Sequence, residues 1–151
     1  MVEKKLPLAV WVLVFALMGC ALIPDLPPTA TPTPPIPPSG YEPQPGDDQL
    51  KRDQVFLDAE GSQLIYTGEP PLQVELSLTG NLSDPCHQLR VVVNPANANR
   101  EIKLDVYSVY DPNQACITVL QPFKVSIPLG TYYAGHYSVY VNDDFVGEFD
   151  A

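Results

Sequence analysis

The chain has 151 residues, 18 of them proline and three cysteine, with a formal net charge of −10. That length is enough for one domain plus accessory segments. The acidic balance excludes the clustered cations that phosphate backbones require, so no nucleic-acid partner is expected.

Lys4 and Lys5 precede the apolar run LPLAVWVLVFALMGCALI. A short cationic stretch before such a run is the pattern of an export signal. Leu6 to Cys20 spans 15 residues, and counting on to Ile23 gives 18. A bilayer core of ~30 Å needs about 20 residues, so length alone leaves both a cleaved signal and a retained helix open. Leu17-Met18-Gly19-Cys20 resembles the lipobox of bacterial lipoproteins. The resemblance implies a signal peptide over 1–19 and a lipid on the thiol of Cys20, the first residue of the mature chain. Gly19 fits the small residue before the cut, while Met18 departs from the commoner small or hydroxyl residue. Lipid and helix alike place the rest of the chain outside the cytoplasmic membrane, with the lysines inside. The expected location is therefore the outer face of the bacterial cytoplasmic membrane or the cell surface, with the membrane as a partner through Cys20.

Residues 20–49 read as a linker. Ten of the 23 residues from Pro24 to Gly46 are proline. Proline removes backbone donors and the stretch has few apolar residues, which predicts a disordered, extended spacer. About 25 such residues reach roughly 80 Å at ~3.1 Å each. Thr29, Thr31 and Thr33 lie near or between prolines, a composition that can carry O-glycans.

From Leu50 the period becomes two, and 50–151 reads as one domain with 6 Lys+Arg against 13 Asp+Glu. LQVELSL puts Leu72, Val74, Leu76 and Leu78 on one face. EIKLDVYSVY puts Ile102, Leu104 and Val106 inward, with Lys103, Asp105 and Tyr107 outward. FKVSI and HYSVYVN repeat the pattern through Phe123, Val125 and Ile127, and through Tyr137, Val139 and Val141. Shorter strands are predicted at QVFLD, SQLIY, LRVVV, ACITVL and FVGEF. TGNLSDP, NPANAN, DPNQ, LGTYYAG and NDD read as turns. Seven to nine short strands predict an all-β, antiparallel β-sandwich. LGTYYAGHYSVYV resembles the tyrosine corner of immunoglobulin-like and fibronectin type III-like domains, through Gly135 and Tyr137. That resemblance implies an Ig-like sandwich in which the Tyr137 hydroxyl bonds back to the corner. The cysteine spacing, and a single tryptophan at Trp11, depart from the antibody pattern.

With Cys20 lipidated, Cys86 and Cys116 remain as a pair, and an exported compartment lets them oxidise to a disulfide. Cys86, His87 and Cys116 together would also suit a metal. A disulfide beside an ordinary histidine is the simpler expectation, and no metal or cofactor is expected. Asp143, Asp144, Glu148 and Asp150 crowd the last hairpin with no calcium-loop spacing. The chain has no nucleophile elbow, phosphate loop or C-x-x-C, so no catalytic residue is assigned. Tyrosine is the better lead. Tyr107 and Tyr140 point away from the core by alternation, and Tyr132 and Tyr133 fall in a predicted loop. Such rings offer flat, amphipathic contact to an extracellular protein or a polysaccharide. The expected function is a lipid-anchored, non-catalytic interaction module, with carbohydrate or cell-wall binding through the tyrosines as the alternative.

Overall fold

A computed structural model describes residues 35–151. The apolar run, Cys20 and the threonines of the linker lie outside the described residues. A 3-10 turn, Asp47–Gln49, is followed by β1 (Lys51–Asp53), β2 (Phe56–Leu57), β3 (Gln63–Thr67) and β4 (Leu72–Leu82). Then come β5 (Gln88–Val93), β6 (Glu101–Tyr110), β7 (Gln121–Tyr132), β8 (His136–Val141) and β9 (Asp144–Asp150).

The strands form two sheets, as the alternation predicts. In the four-stranded sheet, β4 pairs with β7 along its length and with β2 and β3. In the five-stranded sheet, β5 runs along one edge of β6, and β1 and β8 take the other edge. Strand β9 then pairs with β8. The core lies between the sheets. Leu72, Val74, Leu76 and Leu78 of β4 face Ile102, Leu104 and Val106 of β6, with Ile127, Leu129, Val139 and Val141 beside them. Each such side chain contributes about 1.5–3 kcal/mol on burial, which fixes register because a one-residue slip would turn it outward.

Several expectations need correction. The β6–β8 pair is parallel, so the five-stranded sheet is mixed. TGNLSDP is not one turn: β4 continues through Thr79 to Leu82, because β7 supplies partners as far as Gln121. Likewise β7 runs on to Tyr132, with a register shift opposite Val74/Glu75, and its turn begins only at Tyr133. ACITVL forms no strand. Its residues follow the Cys86–Cys116 bond (Cα–Cα 6.1 Å) and pair with no strand edge, and Ile117 stays 70% exposed.

The packed region also begins before Leu50. The Tyr41 carbonyl accepts from Val91 N–H (2.7 Å), extending the edge of β5, and Tyr41 packs against the core. Arg90 points out of β5 with its side chain only 9% exposed, and Asp47 covers it through bonds from Nε (2.7 Å) and Nη2 (2.9 Å). Composition places these residues in a linker, but Arg90 gives the segment a specific partner.

Candidate functional site

The outer face of the five-stranded sheet carries a cluster of polar and aromatic groups. Alternation on β6 sends Lys103, Asp105 and Tyr107 to that face, and Arg52 joins them from β1, where it lies opposite Val109. The Arg52 guanidinium carbon lies 3.7 Å from the Tyr107 ring centroid, and its Nη2 donates to Asp105 Oδ1 at 2.6 Å. Stacking and ion pair together hold a planar cation over an aromatic face. An exposed ion pair adds only about 0–1 kcal/mol, so this arrangement orients groups more than it stabilises the fold. Tyr107 points outward as its alternation predicts, but Arg52 covers one face of its ring.

A second group adjoins it. Lys103 Nζ donates to Asp143 Oδ1 (3.2 Å) and lies 5.8 Å from the Tyr140 ring. Tyr140 meets Phe145 edge-on at 5.7 Å, and Phe145 is 58% exposed. Asn142 and Asp143 form the two-residue β8–β9 turn with φ of 52° and 69°. That left-handed pair is the twist a tight hairpin requires, and Asn and Asp tolerate it well.

Asn142 also completes β6. Val106 lies between the stretches of β6 that pair with β8 and with β1, so its outer backbone groups need another partner. The Asn142 side chain supplies it: Val106 N–H donates to Oδ1 and Nδ2 donates to the Val106 carbonyl, both at 2.8 Å. One amide thus stands in for a strand residue. Between β1 and this turn lies an open groove of about 520 Å³, lined by Arg52, Asp53, Gln54, Asp105, Val106, Tyr107, Asn142 and Asp143. Its walls offer carboxylates, amides and a guanidinium, suited to hydrogen-bonding a polar ligand or a peptide backbone.

The remaining expected residues are elsewhere. Tyr132 is a core residue, 5% exposed, with its hydroxyl donating to the Leu129 carbonyl (2.8 Å). It packs with Tyr137 and Phe149, and burial pushes its phenol up to about 12. The corner beside it has the bond that the resemblance implies: Tyr137 Oη donates to the Tyr133 carbonyl at 3.2 Å. Tyr133 is exposed in the turn but does not line the groove. Cys86 and Cys116 are joined, and although Asp84 lies close to both sulfurs, neither is a thiolate available to a metal.

Neither histidine lines the groove. His136 bonds Asp150 through Nδ1 (2.9 Å) and faces Glu148 through Nε2 (3.3 Å), and the Asp150 bond raises its pKa. Asp84 is held below the usual carboxylate range, first by its bond to His87. Asp47 is lowered to about 2, chiefly by the hydrogen bond from Arg90. Sequence reasoning missed Arg52, Asn142 and Phe145 as members of the site. The period-two pattern is too short on β1 to show Arg52, and NDD signals a turn without saying what its first side chain meets.

Residues 76–151 match the ORF11 beta-sandwich domain family. The chain belongs to that family. The ORF11 beta-sandwich match runs from Leu76 in β4 through the end of β9, so it includes β6, the β8–β9 turn and Phe145, while Arg52 precedes it. No curated protein and no solved structure matches the chain.

Proposed function

We propose that this protein is a lipid-anchored, extracytoplasmic module whose outer sheet face binds another envelope or extracellular protein without catalysing a reaction. The groove between Arg52 and Asn142 carries the reading. It holds an arginine stacked on a tyrosine, the residue types that most often dominate interface energies, and the exposed Phe145 packs on Tyr140 outside the groove. The anchor rests on the LMGC sequence at Cys20 and the lysines before the apolar run.

A photo-crosslinking residue placed at Arg52 in the membrane-bound full-length protein tests the surface. The expected result is a defined crosslinked partner that is missing when the same probe replaces Gln73 on the other sheet. Equal crosslinking from both positions, or none from Arg52, contradicts the assignment. Intact mass measurement tests the anchor: the expected chain begins at acylated Cys20. A chain beginning at Met1 with an unmodified cysteine replaces the lipid with a retained helix.

A second reading, polysaccharide binding, draws on the Tyr140–Phe145 pair and on Lys103, which reaches both the Tyr140 ring and Asp143. Sugars combine an apolar ring face with hydroxyls, and this surface offers an aromatic wall beside acceptors. Retention on envelope polysaccharide that is lost in Phe145→Ala supports it over the protein partner. Retention unchanged by that substitution removes it.

A further inference from the structure

At the end of the sandwich that carries the disulfide, His87 is almost wholly enclosed. Its side chain is 6% exposed and its ring stacks on Tyr110 at 4.6 Å between centroids. Asp84 Oδ1 lies 2.8 Å from His87 Nδ1 and also accepts from Cys86 N–H at 2.8 Å. An ionised carboxylate only accepts, so Nδ1 is the ring nitrogen that carries hydrogen. The lone pair of a neutral ring then lies on Nε2. That atom is buried and has no hydrogen-bond partner among the described residues. It faces a second carboxylate, Asp53 Oδ2, at 3.3 Å, which Ser83 Oγ holds by donating to the same oxygen at 3.2 Å.

We propose that His87 Nε2 and Asp53 Oδ2 are the protein ligands of a divalent cation of the zinc class, with water completing its shell. Two donors 3.3 Å apart match the edge of a tetrahedron with bonds of about 2.0–2.1 Å, roughly 3.3–3.4 Å. A cation between them satisfies the orphaned nitrogen and offsets the carboxylate facing it. Asp84 supplies the outer contact typical of a metal-bound histidine, a carboxylate on the other ring nitrogen that fixes tautomer and ring plane. The Asp53 side chain is 40% exposed, which gives the ion and its waters a path from solvent. An imidazole donor selects zinc, copper or nickel over magnesium or calcium. The ion joins β1 to the β4–β5 connection next to the disulfide, so it fastens the same end of the sandwich.

The test is zinc chloride titration of the full-length protein in detergent, stripped with chelator and with its disulfide intact. A His136→Gln background removes the other carboxylate-flanked histidine. The expected result is one zinc per chain, with affinity weakened about tenfold or more by Asp53→Asn. In the His136→Gln protein itself, the 15N resonance of His87 Nε2 should move on zinc addition while Nδ1 keeps its hydrogen. That readout needs no further variant and stands even if Asp53→Asn fails to fold. No uptake in the His136→Gln protein overturns the proposal, and uptake unchanged by Asp53→Asn or a static Nε2 resonance overturns it as adventitious binding only.

Discussion

Residues 41–49 and 115–120 reverse what their compositions suggest. The first segment is polar and proline-bearing, yet it is packed: Tyr41 bonds the edge of β5 and Asp47 covers Arg90. The second, Ala115–Leu120, is apolar and β-branched, yet Ile117, Val119 and Leu120 are all more than half exposed. Tertiary bonds went to the segment with specific partners. Arg90 projects from β5 as a cation that cannot be enclosed without an opposite charge, and Asp47 supplies it in bidentate form. By contrast ACITVL has the right residues for a strand but no edge to pair with, and the core is already filled from β4, β6, β7 and β8. Apolar character admits a segment to the core only where geometry leaves it a place.

The comparison breaks first at the disulfide. If 115–120 matters only through its cysteine, Cys86→Ala with Cys116→Ala costs about 2–4 kcal/mol, the loop between them spanning 30 residues. An unchanged melting temperature in the double variant would show that the segment is held by something else. Next is the packed linker. A chain beginning at Leu50 strands a buried guanidinium, a loss of about 1–3 kcal/mol against one beginning at Pro35. Equal melting temperatures would return 41–49 to the spacer.

Asn142 sharpens the point that one directed polar group can do what an apolar run does not. Asn142→Ala leaves Val106 N–H and carbonyl without their partner and strains a residue at φ 52°, for about 1–2 kcal/mol by chemical denaturation. Asn142→Gly relieves the backbone but not the lost bonds, so it should recover only part of that loss.

Acidity probes the Asp47–Arg90 pair separately. Asp47 titrates lower in the folded chain, about 2 against an ordinary 3.8. Its contribution is therefore complete above the ordinary value and fades as pH falls toward 2. In Asp47→Asn that part of the acid limb should be missing. His136 has the opposite sign: its pKa is raised from 6.5, so its contribution is complete below 6.5 and is lost as pH rises through the raised value. His136→Gln should flatten stability across that window. The smallest effect belongs to the exposed apolar segment, where Ile117→Ser should change stability by no more than about 0.5 kcal/mol.

Much of the fold was legible because the long strands bury one face each. Leu72, Val74, Leu76 and Leu78 are inward on β4, and Ile102, Leu104 and Val106 on β6, as period two requires. Strand ends were less legible, since β4 and β7 extend each other through polar residues such as Thr79 and Lys124 that look like turn or surface on their own. The site was half legible. Alternation places Tyr107 and Tyr140 outward, but Gly130 and Gly135 punctuate the sequence around Tyr132 and make it look like loop. Its burial depends on Tyr137 and Phe149, partners brought in from other strands. Arg52 and Asn142 act across strands, and their partners are distant in sequence.

Native-state amide exchange of the full-length protein tests the central contrast in one measurement. Val91 N–H, bonded to Tyr41, should exchange as slowly as the core amides of β6, while Ile117, Thr118 and Leu120 exchange close to unstructured rates. Rapid exchange at Val91 together with protection across 117–120 would contradict the account: it would make the polar segment the loose one and the apolar segment the packed one.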